Sequence, residues 1–448
     1  MEMNLADYVK TELPKWPNWL TVPLLKLNVF GPLVYGRGYL QWRKQLDSID
    51  PERQLLTVVN HALRHVPYYR SRYPGLEVHS LHEFETKIGF IDKDEVMAHW
   101  EEFVADDIEK SFYRTGTTGG TSGKPLKLLF AKDRYAMELP FTHRMMHRFG
   151  WNYNTLGVIR NHRLPAGRNY MINPVMRQVI FDAFRMDEAY ARTVYRTMRR
   201  LGVRYLWAYP SALFQFAMLC HRQGLNLSFV KMARLTSEQI TDEQRHLFCD
   251  VLHIPLSYSY GHSEKLILAG NTPDDPAYHV EPCYGYLELV DNQSHLITQA
   301  GVEGEMVGTT FSNFGFPLIR YRTGDYSSYV SDVAQTPFQK TLATIQGRWQ
   351  NSLIYCADGR TVSTASLNLH SDLYEQIDGL QYVQEQPSML DVLVIKGPSY
   401  DASTEKALLH HFQACLGPDM AIHIRYVDKL RLQPNGKFLL LISHVKNS

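Results

Sequence analysis

YLWAYPSALFQFAMLCHRQG, residues 205–224, reads as one strand, one helix and a stop. Tyr205 to Tyr209 is a short apolar run of strand length, Ser211 to Gln223 has helical length, and Gly224 closes the helix. The pattern then repeats. A strand is expected near Met232 to Thr236, a helix opened by Thr241 with Gln244 three positions on as a capping box, and a strand from Pro255 to Tyr260. This βαβαβ rhythm belongs to the α/β class. Open α/β sheets bind ligands beyond the carboxyl ends of their strands. Two polar clusters stand there, Thr236-Ser237-Glu238 and Tyr260-Gly261-His262-Ser263-Glu264.

Upstream, Leu55, Val58, Val59, Ala62, Leu63 and Val66 recur at helical spacing behind Asp50 as cap and Pro51 in the first turn, and Pro67 ends the run. Downstream of about residue 346 the texture changes to short alternating strands joined by Asp358-Gly359 and Asn435-Gly436 turns, with one helix from about Ser403 to Leu416. A chain of 448 residues is too long for one core. We expect a large domain over 1–346, with 1–70 as a helical N-terminal lid, and a small α+β domain over 347–448.

The charge balance of 47 Lys plus Arg against 46 Asp plus Glu leaves no field that favours nucleic acid. Five scattered cysteines, none in a C-x-x-C arrangement, point to a reducing, cytoplasmic setting. The apolar stretch Trp16 to Leu40 is interrupted by Pro17, Pro23, Lys26, Asn28, Pro32 and Arg37, so it is neither a signal peptide nor a membrane span. Its Trp, Leu and Phe beside Lys and Arg leave peripheral membrane contact as an alternative to the lid. Nothing in the sequence speaks to oligomeric state.

Between Thr115 and Pro125 four glycines let the backbone approach a ligand, hydroxyls and amides can wrap phosphate oxygens, and Lys124 adds charge. A Walker A loop is excluded, because it needs Gly at Thr118 and Ser or Thr at Pro125. Thr118-Gly-Gly-Thr-Ser-Gly-Lys-Pro125 instead resembles the phosphate loop of the adenylate-forming superfamily of acyl-CoA synthetases. Tyr260-Gly261-His262-Ser263-Glu264 and Tyr321-Arg322-Thr323-Gly324-Asp325 resemble two further motifs of that superfamily, Gly347-Arg348 the start of its hinge, and Asn435-Gly436-Lys437 its closing Gly-Lys. The order is the family's. His65-Val66-Pro67-Tyr68-Tyr69-Arg70 and Ile91-Asp92-Lys93-Asp94 are similar to segments of phenylacetate-CoA ligase relatives, nearest the CapK-like branch of capsular polysaccharide biosynthesis.

The resemblance spans essentially the whole chain and implies a fold of mixed sheets flanked by helices, with a small mobile C-terminal domain. It implies ATP and Mg²⁺ as cofactors and an AMP-producing ligase. Thr118, Gly119, Gly120, Thr121, Ser122, Gly123 and Lys124 would hold the β- and γ-phosphates, Glu264 the metal, and Ser237 and Glu238 the purine edge. Tyr260 would lie against adenine with Gly261 and Ser263 beside it, Asp325 would accept the ribose hydroxyls, and Arg348 would mark the hinge. Lys437 would reach the α-phosphate. Relatives place one or two aspartates where Trp349-Gln350-Asn351 stand here.

Arg160, His162, Arg163 and Arg168 crowd one segment, as a site for an acidic substrate or nucleotide-sugar acceptor or as a solvated basic face. His262 is a candidate proton acceptor for an incoming amine. Cys249, His253, His279 and Cys283 are weighed as Zn²⁺ ligands. Three readings stand: a ligase passing an acyl or aminoacyl group to an amine on a sugar precursor, an acyl-CoA synthetase forming a CoA thioester from a small carboxylic acid, with an aromatic acid as a candidate substrate, and a silent nucleotide-binding protein.

Overall fold

The computed structural model describes residues 12–27, 31–117, 126–160, 162–347, 353–367, 369, 373, 376–431 and 439–445. It divides into two compact units, each made of separate stretches of chain: Met1–Gly36, Met146–Tyr258 and Asn351–Ser448 form one, Arg37–Met145 and Ser259–Gln350 the other.

The first unit carries the βαβ rhythm. Its sheet runs in the order Met171–Asn173, Gln178–Ile180, Leu156–Ile159, Tyr205–Ala208, Met232–Leu235 and Leu256–Gly261. All pairs are parallel except the first. Leu156–Ile159 is buried at every position, as a strand covered on both faces must be. Gly157 permits the packing there, since a Cβ would meet Leu206 and Val203 at 2.8 and 2.9 Å. The crossovers are helical: Glu188–Leu201, Pro210–Arg222, and Asp242–Arg245, which opens on a Thr241–Gln244 capping box and runs into a π-helical turn, His246–Val251.

The C-terminal module completes this unit. The hairpin Leu353–Tyr355 with Thr361–Ser363 turns at Asp358-Gly359, where Gly359 takes φ 79°. Beyond it four strands pair in the order Ala421–Tyr426, Met389–Lys396, Ile377–Gln386 and Leu441–Ser443. The helix Ala402–Leu416, capped by Asp401, supplies the crossover between Met389–Lys396 and its parallel neighbour Ala421–Tyr426.

The second unit is built on antiparallel pairing. Leu296–Ile297, Gly285–Val290, Glu303–Thr310 and Tyr321–Ser328 form one sheet, with a bulge between Glu305 and Val307. Ser259 to Gly261 pairs with Leu268–Gly270, which continues to Tyr278–Val280 and Thr341–Leu342. The helix Pro51–His65, capped by the Asp50 carboxylate, buries Leu55, Val58, Val59, Ala62 and Leu63 in a core shared with Phe84, Phe103, Phe316 and Tyr321. Within that core Arg320 meets Glu288 in a two-pronged ion pair at 2.8 and 3.1 Å. No helix among the described residues is long and apolar enough to cross a membrane.

Candidate active site

In the first unit the chain leaves Leu156–Ile159 toward one side of the sheet and Tyr205–Ala208 toward the other. A crevice opens at the carboxyl ends of two such strands. Arg160 stands at this switch point. Its guanidinium lies 4.1 Å from the Trp207 ring centroid and 4.8 Å from that of Tyr209, and its Nη2 donates to the Tyr209 hydroxyl at 3.2 Å. The Nε is buried without a hydrogen-bond partner, which leaves one donor of a planar fork unsatisfied. His162 and Arg163 follow, both exposed, with the Arg163 guanidinium 5.6 Å from the Phe184 ring. Arg168 is occupied differently: it donates to the carbonyls of Pro14, Lys15 and Trp16 and ties down the N-terminal turn.

The next strand end brings Ser237 and Glu238. Ser237 takes a left-handed backbone, φ 72°, a conformation that re-aims the chain after Leu235. Glu238 accepts from the Ser211 amide at 2.8 Å, from the Ser211 hydroxyl at 3.0 Å, and from Ser363 of the C-terminal hairpin. The first two donors belong to the start of the helix Pro210–Arg222, where free amides and the helix dipole favour an anion. Burial of the carboxylate pushes its pKa up, and the three hydrogen bonds oppose that rise.

In the second unit the Tyr260 hydroxyl donates to Asp325 Oδ2 at 2.7 Å. One bond thus joins two motifs separated by 65 residues. Asp325 is 5% exposed and lies in the strand Tyr321–Ser328, just after Gly324, whose φ of 73° and amide contact with Glu305 at 3.0 Å set the backbone there. Two residues past Tyr260, His262 Nδ1 lies 3.0 Å from Oε2 of the buried Glu264, while His262 Nε2 is buried without a partner. Gly261 and Ser263 are exposed. Lys265 Nζ donates to Glu138 at 2.7 Å.

A single carboxylate at Glu264 fits Mg²⁺ in one sense: that ion commonly keeps its waters, takes one or two carboxylates, and draws its remaining ligands from substrate phosphates. The strands Tyr113–Thr117 and Lys127–Ala131 pair antiparallel up to Thr117 opposite Lys127, and so bracket the glycine-rich stretch. That stretch itself, Thr118, Gly119, Gly120, Thr121, Ser122, Gly123 and Lys124, lies outside the described residues, as do Arg348 and Lys437.

Ser211 and Ser363, which donate to Glu238, were passed over by sequence reading. Neither sits in a motif, although Ser211 at a helix start after Pro210 is a detectable anion-binding signal. Of the four residues weighed as zinc ligands, His253 turns Nδ1 to the Cys249 carbonyl at 3.2 Å, and His279 Nε2 lies 2.8 Å from Asp275. Cys283 directs its thiol to the Ile49 carbonyl at 3.6 Å. Three of the four side chains thus meet protein partners other than one another.

Comparison with known proteins agrees with this architecture. Residues 354–444 match the CapK C-terminal domain family. Protein CapK of Staphylococcus aureus is 20% identical over 372 residues, covering 77% of this chain and 80% of that one. Among solved structures, 2-hydroxyisobutyryl-CoA ligase in complex with 2-HIB-AMP and CoA superposes with a TM-score of 0.56 at 15% identity, covering 87% of this chain and 88% of that one. An open conformation of the same ligase gives 0.52 at 15% identity, covering 87% and 90%. The chain therefore has the fold of adenylate-forming ligases, as its motifs imply.

Proposed function

We propose that this chain is an AMP-producing ligase that activates a carboxylic or amino acid with ATP and passes the acyl group to an amine on a sugar precursor of a surface polysaccharide, in the cytoplasm. The observation that supports it most directly is the Tyr260–Asp325 bond, which unites an aromatic ring and an acceptor-only carboxylate as a nucleoside pocket requires. In the first half-reaction an oxygen of the substrate carboxylate bonds to the α-phosphorus and the bond to pyrophosphate breaks. Thr118 to Lys124 hold the departing phosphates, Ser237 and Glu238 the purine edge, and Asp325 the ribose. Mg²⁺ on Glu264 supplies charge neutralisation when bound. Lys437 meets charge that develops at the α-phosphate and acyl oxygens, and Arg348 begins the hinge of a small domain over 347–448.

In the second half-reaction the amine nitrogen bonds to the acyl carbon, AMP leaves, and the amine proton goes to His262 Nε2, the nitrogen without a protein partner. Arg160, with an unsatisfied Nε, and the neighbouring His162 and Arg163 take the acidic group of a substrate. A CoA acceptor is the second reading, because the solved ligase that shares this fold carries CoA. The exposed Trp16 and Trp19 beside Lys15 and Lys26 support contact with a membrane surface.

Acid-dependent pyrophosphate exchange across a panel of carboxylic and amino acids tests the first half-reaction, and product mass with sugar amines or CoA tests the second. Exchange with at least one acid, and a new mass with a sugar amine but not with CoA, is expected. Absence of exchange with every acid would leave only a nucleotide-binding protein. Lys437→Ala should abolish adenylate formation and spare ATP binding.

A further inference from the structure

The helix Pro51–His65 places His61 and His65 four residues apart, on one face, with ring centroids 4.9 Å apart. Asp107 approaches both from the segment that leads into the strand Tyr113–Thr117: its Oδ2 is 2.9 Å from His61 Nε2 and 3.7 Å from His65 Nδ1. One ligand atom from each of the three lies within 4.8 Å of the others, the single such group of three among the described residues. Around a tetrahedral ion with bonds of about 2.0–2.2 Å, neighbouring ligand atoms stand roughly 3.3–3.6 Å apart. The two distances to Asp107 bracket that spacing.

The surroundings are also arranged for an ion. Asp106, the preceding residue, gives one carboxylate oxygen to Arg70 at 2.6 Å and keeps the other 3.4 Å from His65 Nδ1, and its amide is bonded to the His65 carbonyl at 2.8 Å, which fixes the backbone that presents Asp107. Phe314 packs edge-on against the His61 ring at 5.1 Å and limits its rotation. On the remaining side lies an open groove of about 620 Å³, bordered by Asn60, His61, His65 and Phe314, with room for a fourth ligand.

We propose that His61, His65 and Asp107 bind one transition-metal ion, Zn²⁺ foremost, with water from the groove in the fourth position. Two imidazoles and one carboxylate select this class over Mg²⁺ or Ca²⁺, which take oxygen ligands. The ion would brace the core helix against the segment that runs into the glycine-rich hairpin.

The full chain, stripped with chelator and titrated with ZnCl₂ in a calorimeter, should bind an ion that His61→Ala loses and that Asp107→Asn holds roughly tenfold or more weakly. Asp107 is exposed, so its variant keeps the test valid where a histidine variant fails to fold. Co²⁺ in place of Zn²⁺ should give the intense visible absorption of a tetrahedral site, diminished in both variants. Absence of binding, binding that neither variant changes, or the pale spectrum of six-coordinate Co²⁺ would each overturn the assignment.

Discussion

Lys340 is a cation buried among aromatic rings, with its ammonium donating to the Leu287 carbonyl and lying 4.2 Å from the Tyr286 ring centroid. Burial pushes its pKa from 10.5 down to about 8, against the pull of Glu288 and Glu85. The folded chain therefore releases this proton before the unfolded one does. Stability from this group rises as pH climbs from about 8 and is complete above 10.5. Comparative urea unfolding of the wild type and Lys340→Met should show that rise only in the wild type, with a slope of up to about 1.4 kcal/mol per pH unit. Parallel pH profiles in the two proteins would contradict it. Lys340 was not legible in the sequence, because burial of a charge leaves no local pattern. Tyr260 and Asp325 were each legible as motif members, but the bond between them was not, since chain separation says nothing about which side chains meet.

The elements were easier to read than the residues, and caps explain why. The strand expected at Tyr205 to Tyr209 is observed at Tyr205–Ala208, the following helix at Pro210–Arg222, and the helix after Asp50 at Pro51–His65. Two helix starts are marked by residues whose chemistry acts locally: Asp50 accepts from the amides of Glu52 and Arg53, and Thr241 and Gln244 exchange the bonds of a capping box before Asp242–Arg245. Asp50→Ala should cost about 1 kcal/mol in denaturant unfolding; an unchanged midpoint would mean that core packing alone holds the first turn. The bulge at Glu305 and Val307 and the π-helical turn His246–Val251 escaped prediction. Both are adjustments to neighbours across space, and neither has a sequence period.

At the scale of the whole molecule the near-zero net charge rules out long-range attraction to anionic surfaces, so any membrane contact has to come from a local patch. Trp19 is 73% exposed and Leu27 63%, on the short helix Asn18–Leu27 that also carries Lys26. The full chain should co-sediment with anionic vesicles, less so at high salt, and the double variant Trp19→Ser, Leu27→Ser should stay in solution; a wild type that remains in the supernatant would discard membrane contact. The two compact units each draw on separate stretches of chain, a division that no composition shift along the sequence announces.

The Ser211–Glu238–Ser363 contact makes one carboxylate the common property of a helix start in the α/β sheet and a hairpin of the C-terminal module. In its proposed role Glu238 is also wanted by the purine. The two oxygens offer about four acceptor sites, so a purine that took the one Ser363 uses would make nucleotide arrival and the hairpin's hold linked equilibria. Linkage is reciprocal: whatever loosens Ser363 from Glu238 must favour the nucleotide by the same factor that the nucleotide favours loosening. A half-reaction that ends in AMP release would then be timed by the grip of a serine hydroxyl.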